Sequence, residues 1–142
     1  MNTAIRVCLV VAAVGIISFS VVLAILRTNS SGTDPKILAE GSTLRSPSGE
    51  FSAKFSSEQV DGKRYVYPVI VNTDGDIVWQ DSERYLMSAH PVAVIWQEDN
   101  DTLWLLSSDI GTSRVVKETS GQWAKDWDWD TLPIDIQKVR GR

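Results

Sequence analysis

The sequence predicts an all-β domain, either a single antiparallel sheet or a small sandwich of six to eight strands, behind one N-terminal transmembrane helix. Residues 7–26 form an uncharged apolar run. After residue 37, short apolar segments alternate with turn residues roughly every ten to fourteen positions, with no helix-length segment between them. We therefore divide the 142 residues into a short tail (1–6), a transmembrane signal anchor (7–26), a polar tether (27–36) and an exported antiparallel β domain (37–142).

The N-terminal run is long enough to span a bilayer. As a helix, residues Val7 to Leu26 would extend roughly 30 Å, which matches the hydrocarbon thickness. The competing interpretation is a cleaved signal peptide, whose apolar core typically has about 7–15 residues. The one weak cleavage site, Val22-Leu23-Ala24, lies inside the run rather than after it. The pattern therefore favours an uncleaved anchor.

A short N-terminal tail before the run and a domain after it are typical of a single-pass signal anchor. We expect the N-terminus in the cytoplasm, the helix in the inner (cytoplasmic) membrane of a bacterium, and the C-terminal domain in the periplasm or outside the cell. Cys8, the single cysteine, lies within the run, so the domain cannot form a disulfide.

The charge balance narrows the possible partners. The chain has 18 Asp and Glu against 14 Lys and Arg. All the acidic residues follow the apolar run, whereas Arg6 and Arg27 flank it, so the domain is more acidic than the whole chain. This excludes a basic nucleic-acid binder, and the length excludes a multidomain enzyme. We expect a membrane contact through residues 7–26, a possible envelope protein partner, and no nucleic acid.

The β prediction depends on residue alternation and on turn signals. Phe51, Ala53 and Phe55 alternate with polar residues, and Asp74-Gly75 marks a hairpin between two apolar runs. Pro68 cannot donate to a ladder, which predicts an edge or a bulge. Several strands carry apolar residues on both faces, so a second sheet or the Trp-rich C-terminal segment must cover one of them. The predicted strands are Phe51–Ser56, Arg64–Asn72, Ile77–Trp79, Pro91–Gln97, Thr102–Ser107 and Arg114–Glu118.

Three segments within residues 44–108 resemble bacterial β-propeller repeats of the TolB type. Ser46–Ala53 is similar to the Ser-Pro-Asp-Gly-Lys-Tyr-x-Ala strand start, with Ser48 where the repeats usually have Asp. Val71–Asp76 resembles the hairpin of the same repeats, and Trp96–Trp104 resembles the opening of a next blade. The resemblance implies one to two blade-like units and not a full propeller, which needs about four or more blades.

Catalytic and metal-binding motifs are sparse. His90 is the single histidine, and the sequence has no G-x-S-x-G motif to supply an activated serine. We therefore predict no enzymatic activity, no catalytic residue, no metal site and no cofactor, and keep a small exported hydrolase that uses His90 as an alternative. The oxygen-rich segments Asn72–Asp76 and Asp99–Asp101 are explained by turns, with a weak calcium site as the alternative.

The segment from Gln122 to Ile136 is the strongest candidate for a binding site. If it is extended, Trp127 and Trp129 share one face and the aspartates the other. Leu132, Ile134 and Ile136 then alternate in the opposite parity, so a bulge or turn is expected near Pro133. The tryptophans would either cap the second apolar face of the sheet or form a surface for a cationic partner. The candidate partner-binding residues are Trp123, Asp126, Trp127, Asp128, Trp129 and Asp130.

The anchor, the tether and the acidic β domain together suggest a function. We expect a membrane-anchored, non-catalytic β module of the bacterial cell envelope that binds or stabilises another envelope component or membrane complex. Besides the hydrolase, the alternative is a carbohydrate-binding module that uses exposed tryptophans.

Overall fold

The computed structural model describes residues 34–141, which form eight strands in two four-stranded antiparallel sheets and one short helix. The all-β prediction is thus confirmed, with two sheets rather than one. The predicted transmembrane segment, residues 7–26, lies outside the described residues. Between residues 34 and 141, no helix is both long and apolar enough to cross a bilayer.

Each sheet is a simple meander, because every strand pairs with its neighbour in the sequence. The first sheet contains β1 (Thr43–Arg45), β2 (Phe51–Val60), β3 (Lys63–Asn72) and β4 (Ile77–Gln80). The second contains β5 (Val92–Trp96), β6 (Leu103–Ser107), β7 (Gly111–Lys117) and β8 (Trp123–Asp126), and helix α1 (Ile134–Arg140) follows. All six predicted strands are present. Strand β8 lies in the Trp- and Asp-rich segment, which is extended there, and the sequence patterns missed β1 and α1.

Two hairpins of the first sheet follow directly from their turn residues. Asp61 and Gly62 join β2 to β3 with φ of 50° and 74°, the doubly positive pair that a tight two-residue hairpin turn requires. The predicted hairpin at Gly75 (φ 87°) is confirmed. There the side-chain Oδ1 of Asn72 accepts the backbone N–H groups of Asp74 and Asp76 at 3.0 and 2.9 Å. Local side-chain bonding therefore closes the turn.

Pro68, expected at an edge or a bulge, lies in the internal strand β3 near a bulge. In a strand, the N–H groups of every second residue point to the same side. The N–H of Val66 donates to the carbonyl oxygen of Tyr85 at 2.9 Å, on the side where β4 lies. The missing N–H of Pro68 faces that same side, where β4 pairs only from Val69 onwards, and the β3–β4 register shifts between Ile70 and Val71. An internal strand therefore accommodates the proline without a broken ladder.

The two sheets share one hydrophobic core. Ala53 and Ile70 of the first sheet lie in the same buried cluster as Val94 and Leu105 of the second. Ile70 therefore points towards the second sheet, and its neighbour Val69 lies on the opposite face of β3. The remaining fully packed members of this inter-sheet core are Leu38, Phe51, Val66, Tyr85, Val92, Trp96, Leu103 and Val115.

A second cluster covers the opposite face of the second sheet. Ile95 and Trp104 point away from the inter-sheet core and pack against Leu132 and Ile136 of the C-terminal segment. The extended conformation considered for the Leu132–Ile136 stretch does not form, because the chain enters α1 at Ile134. Leu132 precedes the N-cap residue Pro133, and Ile136 lies in the first turn of α1. Both are buried, whereas Ile134 is 70% exposed. Both apolar faces of the second sheet are thereby covered.

Candidate functional site

The Trp- and Asp-rich segment lies at the edge of the second sheet, and the structure distributes its tryptophans among three environments. Trp123 belongs to the inter-sheet core. Its ring meets Phe51 edge-on at 5.0 Å and Trp96 at 6.2 Å between centroids. Such edge-to-face pairs stabilise a core beyond the area they bury. Trp123 therefore anchors β8 to the first sheet.

Trp129 packs on the other side of the second sheet. Its ring lies edge-on to Trp104 at 5.7 Å, and its Nε1–H donates to Thr112 O at 3.1 Å. The strand ends at Asp126, so the alternation expected for an extended segment does not continue past it. As a result, Trp127 and Trp129 lie in different surroundings. The interpretation that tryptophans cap the second apolar face of the sheet holds for Trp129.

Trp127 is the exposed tryptophan of the segment. It is 47% exposed, whereas the five other tryptophans are buried or half-buried. One side of the ring faces the Lys125 ammonium, which lies 4.7 Å from the ring centroid. The ring also lies close to Gly111, where an added Cβ atom would be 3.8 Å from Cζ3 of the ring, an ordinary van der Waals distance. The ring is therefore supported from within the domain and open to a partner from outside.

Lys125 also belongs to a buried polar network that joins the two sheets. Its Nζ lies 2.8 and 3.0 Å from the two carboxylate oxygens of Asp81, a residue with no exposed surface. Tyr85 donates its hydroxyl to Asp81 Oδ2 at 2.9 Å, and the Glu83 N–H donates to Oδ1 at 3.2 Å. Burial, followed by the negative charge of Asp81 and this hydrogen bond, raises the pKa of Tyr85 above its ordinary range. The network fixes Lys125 beneath Trp127.

The three aspartates of the segment are not equivalent. Asp126 Oδ2 accepts hydrogen bonds from Arg114 Nε and Nη2 at 2.9 and 2.7 Å, and Oδ1 accepts the N–H of Asp128 at 2.8 Å. The Arg114 hydrogen bond, aided by that backbone N–H, holds the pKa of Asp126 below its ordinary value. Asp128 and Asp130 are exposed, and neither takes part in an ion pair within the part of the chain that the structure describes. Their charge is available to a partner.

His90 lies on the surface of the domain. Its side chain is 59% exposed, and Nδ1 is 3.9 Å from Oδ2 of Asp109, which is also exposed. The described residues contain no group of three or more His, Cys, Asp or Glu side chains able to hold a metal. Asp101 instead accepts a hydrogen bond from the Ser48 N–H at 3.0 Å. The hydrolase alternative stays a prediction that no contact of His90 strengthens.

Sequence reasoning found the segment but missed the Asp81 network beneath it. Asp81 and Lys125 are 44 positions apart, and each resembles an ordinary surface residue in the sequence. A weak signal was available, because Asp81 directly follows the apolar strand β4 and Lys125 lies between two tryptophans.

Comparison with known proteins finds no matching family model, no matching curated protein and no matching solved structure.

Proposed function

We propose that the chain is a membrane-anchored, non-catalytic β module of the bacterial cell envelope that binds another envelope component. Residues 7–26 would hold it in the inner membrane, with the N-terminus in the cytoplasm and the β domain in the periplasm or outside the cell. The single observation that carries the binding proposal is the exposed, supported ring of Trp127, followed in the sequence by the exposed Asp128 and Asp130, which form no ion pair with the other described residues.

The surface of Trp127, Asp128 and Asp130, named here the Trp127 surface, combines two properties of a protein-binding site. A large, rigid aromatic ring supplies contact area with little loss of conformational entropy. The neighbouring carboxylates favour a partner segment rich in Lys or Arg and disfavour acidic ones. Lys125 adds little positive potential, because Asp81 neutralises it. The proposal therefore narrows the partner to a basic segment of an envelope protein.

Photo-crosslinking in living cells tests this surface directly. A photoreactive amino acid replaces Trp127 in the full-length chain, and the matched control carries it at Val60, an exposed apolar position in the β2–β3 hairpin (45% exposed). We expect a discrete adduct at position 127 and none at position 60. Crosslinking at both positions alike, or at neither, would refute the Trp127 surface as the contact.

A second variant tests the role of charge. Asp128→Asn combined with Asp130→Asn should weaken the adduct at position 127 in isolated membranes at low ionic strength and have little effect near 1 M salt. The reason is that screening shortens the reach of a charge from about 10 Å at 0.1 M to about 3 Å at 1 M. An adduct that is insensitive both to salt and to these substitutions would contradict a basic partner.

Topology is tested separately from binding. A phosphatase fused after Arg142 should be active in bacterial cells if the domain is exported, since such reporters fold only outside the cytoplasm. Alkaline carbonate should leave the full-length chain in the membrane fraction if residues 7–26 remain as an anchor. An active cytoplasmic reporter at the same position would reverse the proposed orientation.

A further inference from the structure

A cavity of about 570 Å³ opens between the two sheets at the end opposite the Trp127 surface, and we propose that it binds a small organic anion with an apolar, preferably aromatic, body and a carboxylate. This inference goes beyond the proposed function and rests on different residues. The cavity is an open groove, and its volume falls within the range of about 300–1,000 Å³ that small-molecule clefts have. The residues that line the cavity include Phe51, Asn72, Val78, Lys117, Gln122 and Trp123.

The two sheets each supply one wall of this cavity. Phe51, at the start of β2, and Val78 of β4 come from the first sheet, and Lys117 and Trp123 flank the β7–β8 turn of the second. The edge-on contact of Phe51 with Trp123 holds both rings in place. Val78 is 36% exposed, so the apolar wall reaches the opening. A ligand with a flat apolar body would gain by removing this surface from water.

One cationic side chain, Lys117, lines this cavity. The Lys117 Nζ lies 4.9 Å from the Phe51 ring centroid, which places the ammonium at the cavity. Within residues 34–141, Lys117 forms no ion pair, although Asp and Glu outnumber Lys and Arg in the chain. None of the residues that line the cavity is acidic. An unneutralised ammonium in an acidic protein is complementary to an anion rather than to a cation.

Two amide side chains add hydrogen-bond donors to the same opening. The Oδ1 atom of Asn72 already accepts the N–H groups of the β3–β4 turn, which leaves its NH₂ group as the part able to contact a ligand. The Gln122 side chain makes no hydrogen bond with any of the described residues. Lys117, Asn72 and Gln122 therefore each present hydrogen-bond donors to the same cavity, which also has the Phe51 and Trp123 rings in its lining.

The test uses the full-length chain in phosphatidylcholine nanodiscs, labelled with 5-fluorotryptophan. All six tryptophans give ¹⁹F signals, and a Trp123→Phe variant assigns the one at the cavity. The probes are 3-phenylpropionate and its uncharged amide, which share one aromatic body. We expect a saturable shift of the Trp123 signal, with the carboxylate binding about tenfold more tightly than the amide, the gain of one charge-assisted hydrogen bond.

Matched variants separate charge recognition from general apolar binding. Lys117→Gln should reduce the affinity for the carboxylate to that for the amide and leave the amide unaffected. Lys63→Gln, at an exposed position in the β2–β3 hairpin, should change neither affinity. Unchanged signals from the other five tryptophans show that each variant is folded.

Three results would overturn the proposal. Equal affinities for the carboxylate and the amide in the unsubstituted chain would show that Lys117 does not favour the charged probe over the uncharged one. Saturation of another tryptophan signal in place of Trp123 would put the ligand elsewhere. The absence of a saturable shift with either probe up to about 20 mM would mean a binding free energy weaker than about 2 kcal/mol. The cavity would then not be a site for this class of ligand. Each outcome leaves the Trp127 surface untouched, since that surface is tested by crosslinking.

Discussion

Replacing Lys125 by methionine tests whether the buried network between the sheets stabilises the domain. The substitution keeps the length of the side chain but leaves the Asp81 carboxylate, which has no exposed surface, without its cation. Removal of one partner of a buried ion pair costs about 3–5 kcal/mol. The Tyr85 hydroxyl and the Glu83 N–H still donate to Asp81, so we expect the lower end of that range, about 3 kcal/mol.

Such a loss is large against a total stability of about 5–15 kcal/mol for a domain of this size. Solvent screening reduces it little, because the Lys125 side chain is 12% exposed. The assay is urea unfolding of the full-length chain in non-ionic detergent, followed by intrinsic fluorescence, since all six tryptophans lie in the β domain. Lys63→Met, at an exposed position, is the matched control and should change the stability by less than about 0.5 kcal/mol.

A double-substitution cycle isolates the pair itself. Asp81→Asn with Lys125→Met removes both charges, so the combined loss should be smaller than the sum of the two single losses by at least about 1.5 kcal/mol. Two results would refute this reasoning. One is a loss below about 1 kcal/mol for Lys125→Met, and the other is simple additivity in the cycle, because either would mean that the two charges do not meet in a buried site.

Three further stability predictions use the same unfolding assay. Asp126→Asn should lower the urea midpoint at neutral pH. The difference in midpoint between the two chains should shrink as the pH falls through and below the ordinary Asp pKa of 3.8, because Arg114 keeps Asp126 ionised in the folded state at lower pH than in the unfolded state. A constant difference in midpoint from pH 6 to about pH 2 would contradict the pairing. Leu105→Ala should cost about 2–5 kcal/mol, and Leu106→Ala, on the half-buried opposite face, clearly less; equal losses would mean that the strand faces are misassigned. Stability should fall as the pH rises above about 10, where the unfolded chain ionises a phenol that the folded chain keeps neutral at Tyr85, and Tyr85→Phe should lack that part of the decrease.

The position of the Trp- and Asp-rich segment in the sequence did not reveal what its residues do. Sequence reasoning grouped Trp123, Trp127 and Trp129 as one cluster because they lie within seven positions. In the fold, the end of β8 at Asp126 separates them, and contacts with Trp96 and Trp104, distant in the sequence, decide which ring is buried. Burial depends on what lies opposite a side chain, and that partner is not encoded locally.

The sequence by itself determined the strands and the turns that join them. Alternation of apolar and polar residues selects the extended conformation, and Asp61-Gly62 and Asp74-Gly75 adopt backbone angles that only a few residue types tolerate. These are local interactions, so a window of a few residues contains their cause. The same period of two puts Val66 and Ile70 on one face of β3, and both lie in the inter-sheet core.

Only the tertiary structure decided how the apolar faces are covered. The alternation of Leu132, Ile134 and Ile136 fits a strand, yet Ile134–Arg140 form a helix, and a seven-residue helix is too short to form without support. Docking against Ile95 and Trp104 selects the helix. Likewise, the pairing of Asp81 with Lys125 and the cavity over Phe51 require two sheets to meet, because both depend on distances between residues far apart in the chain.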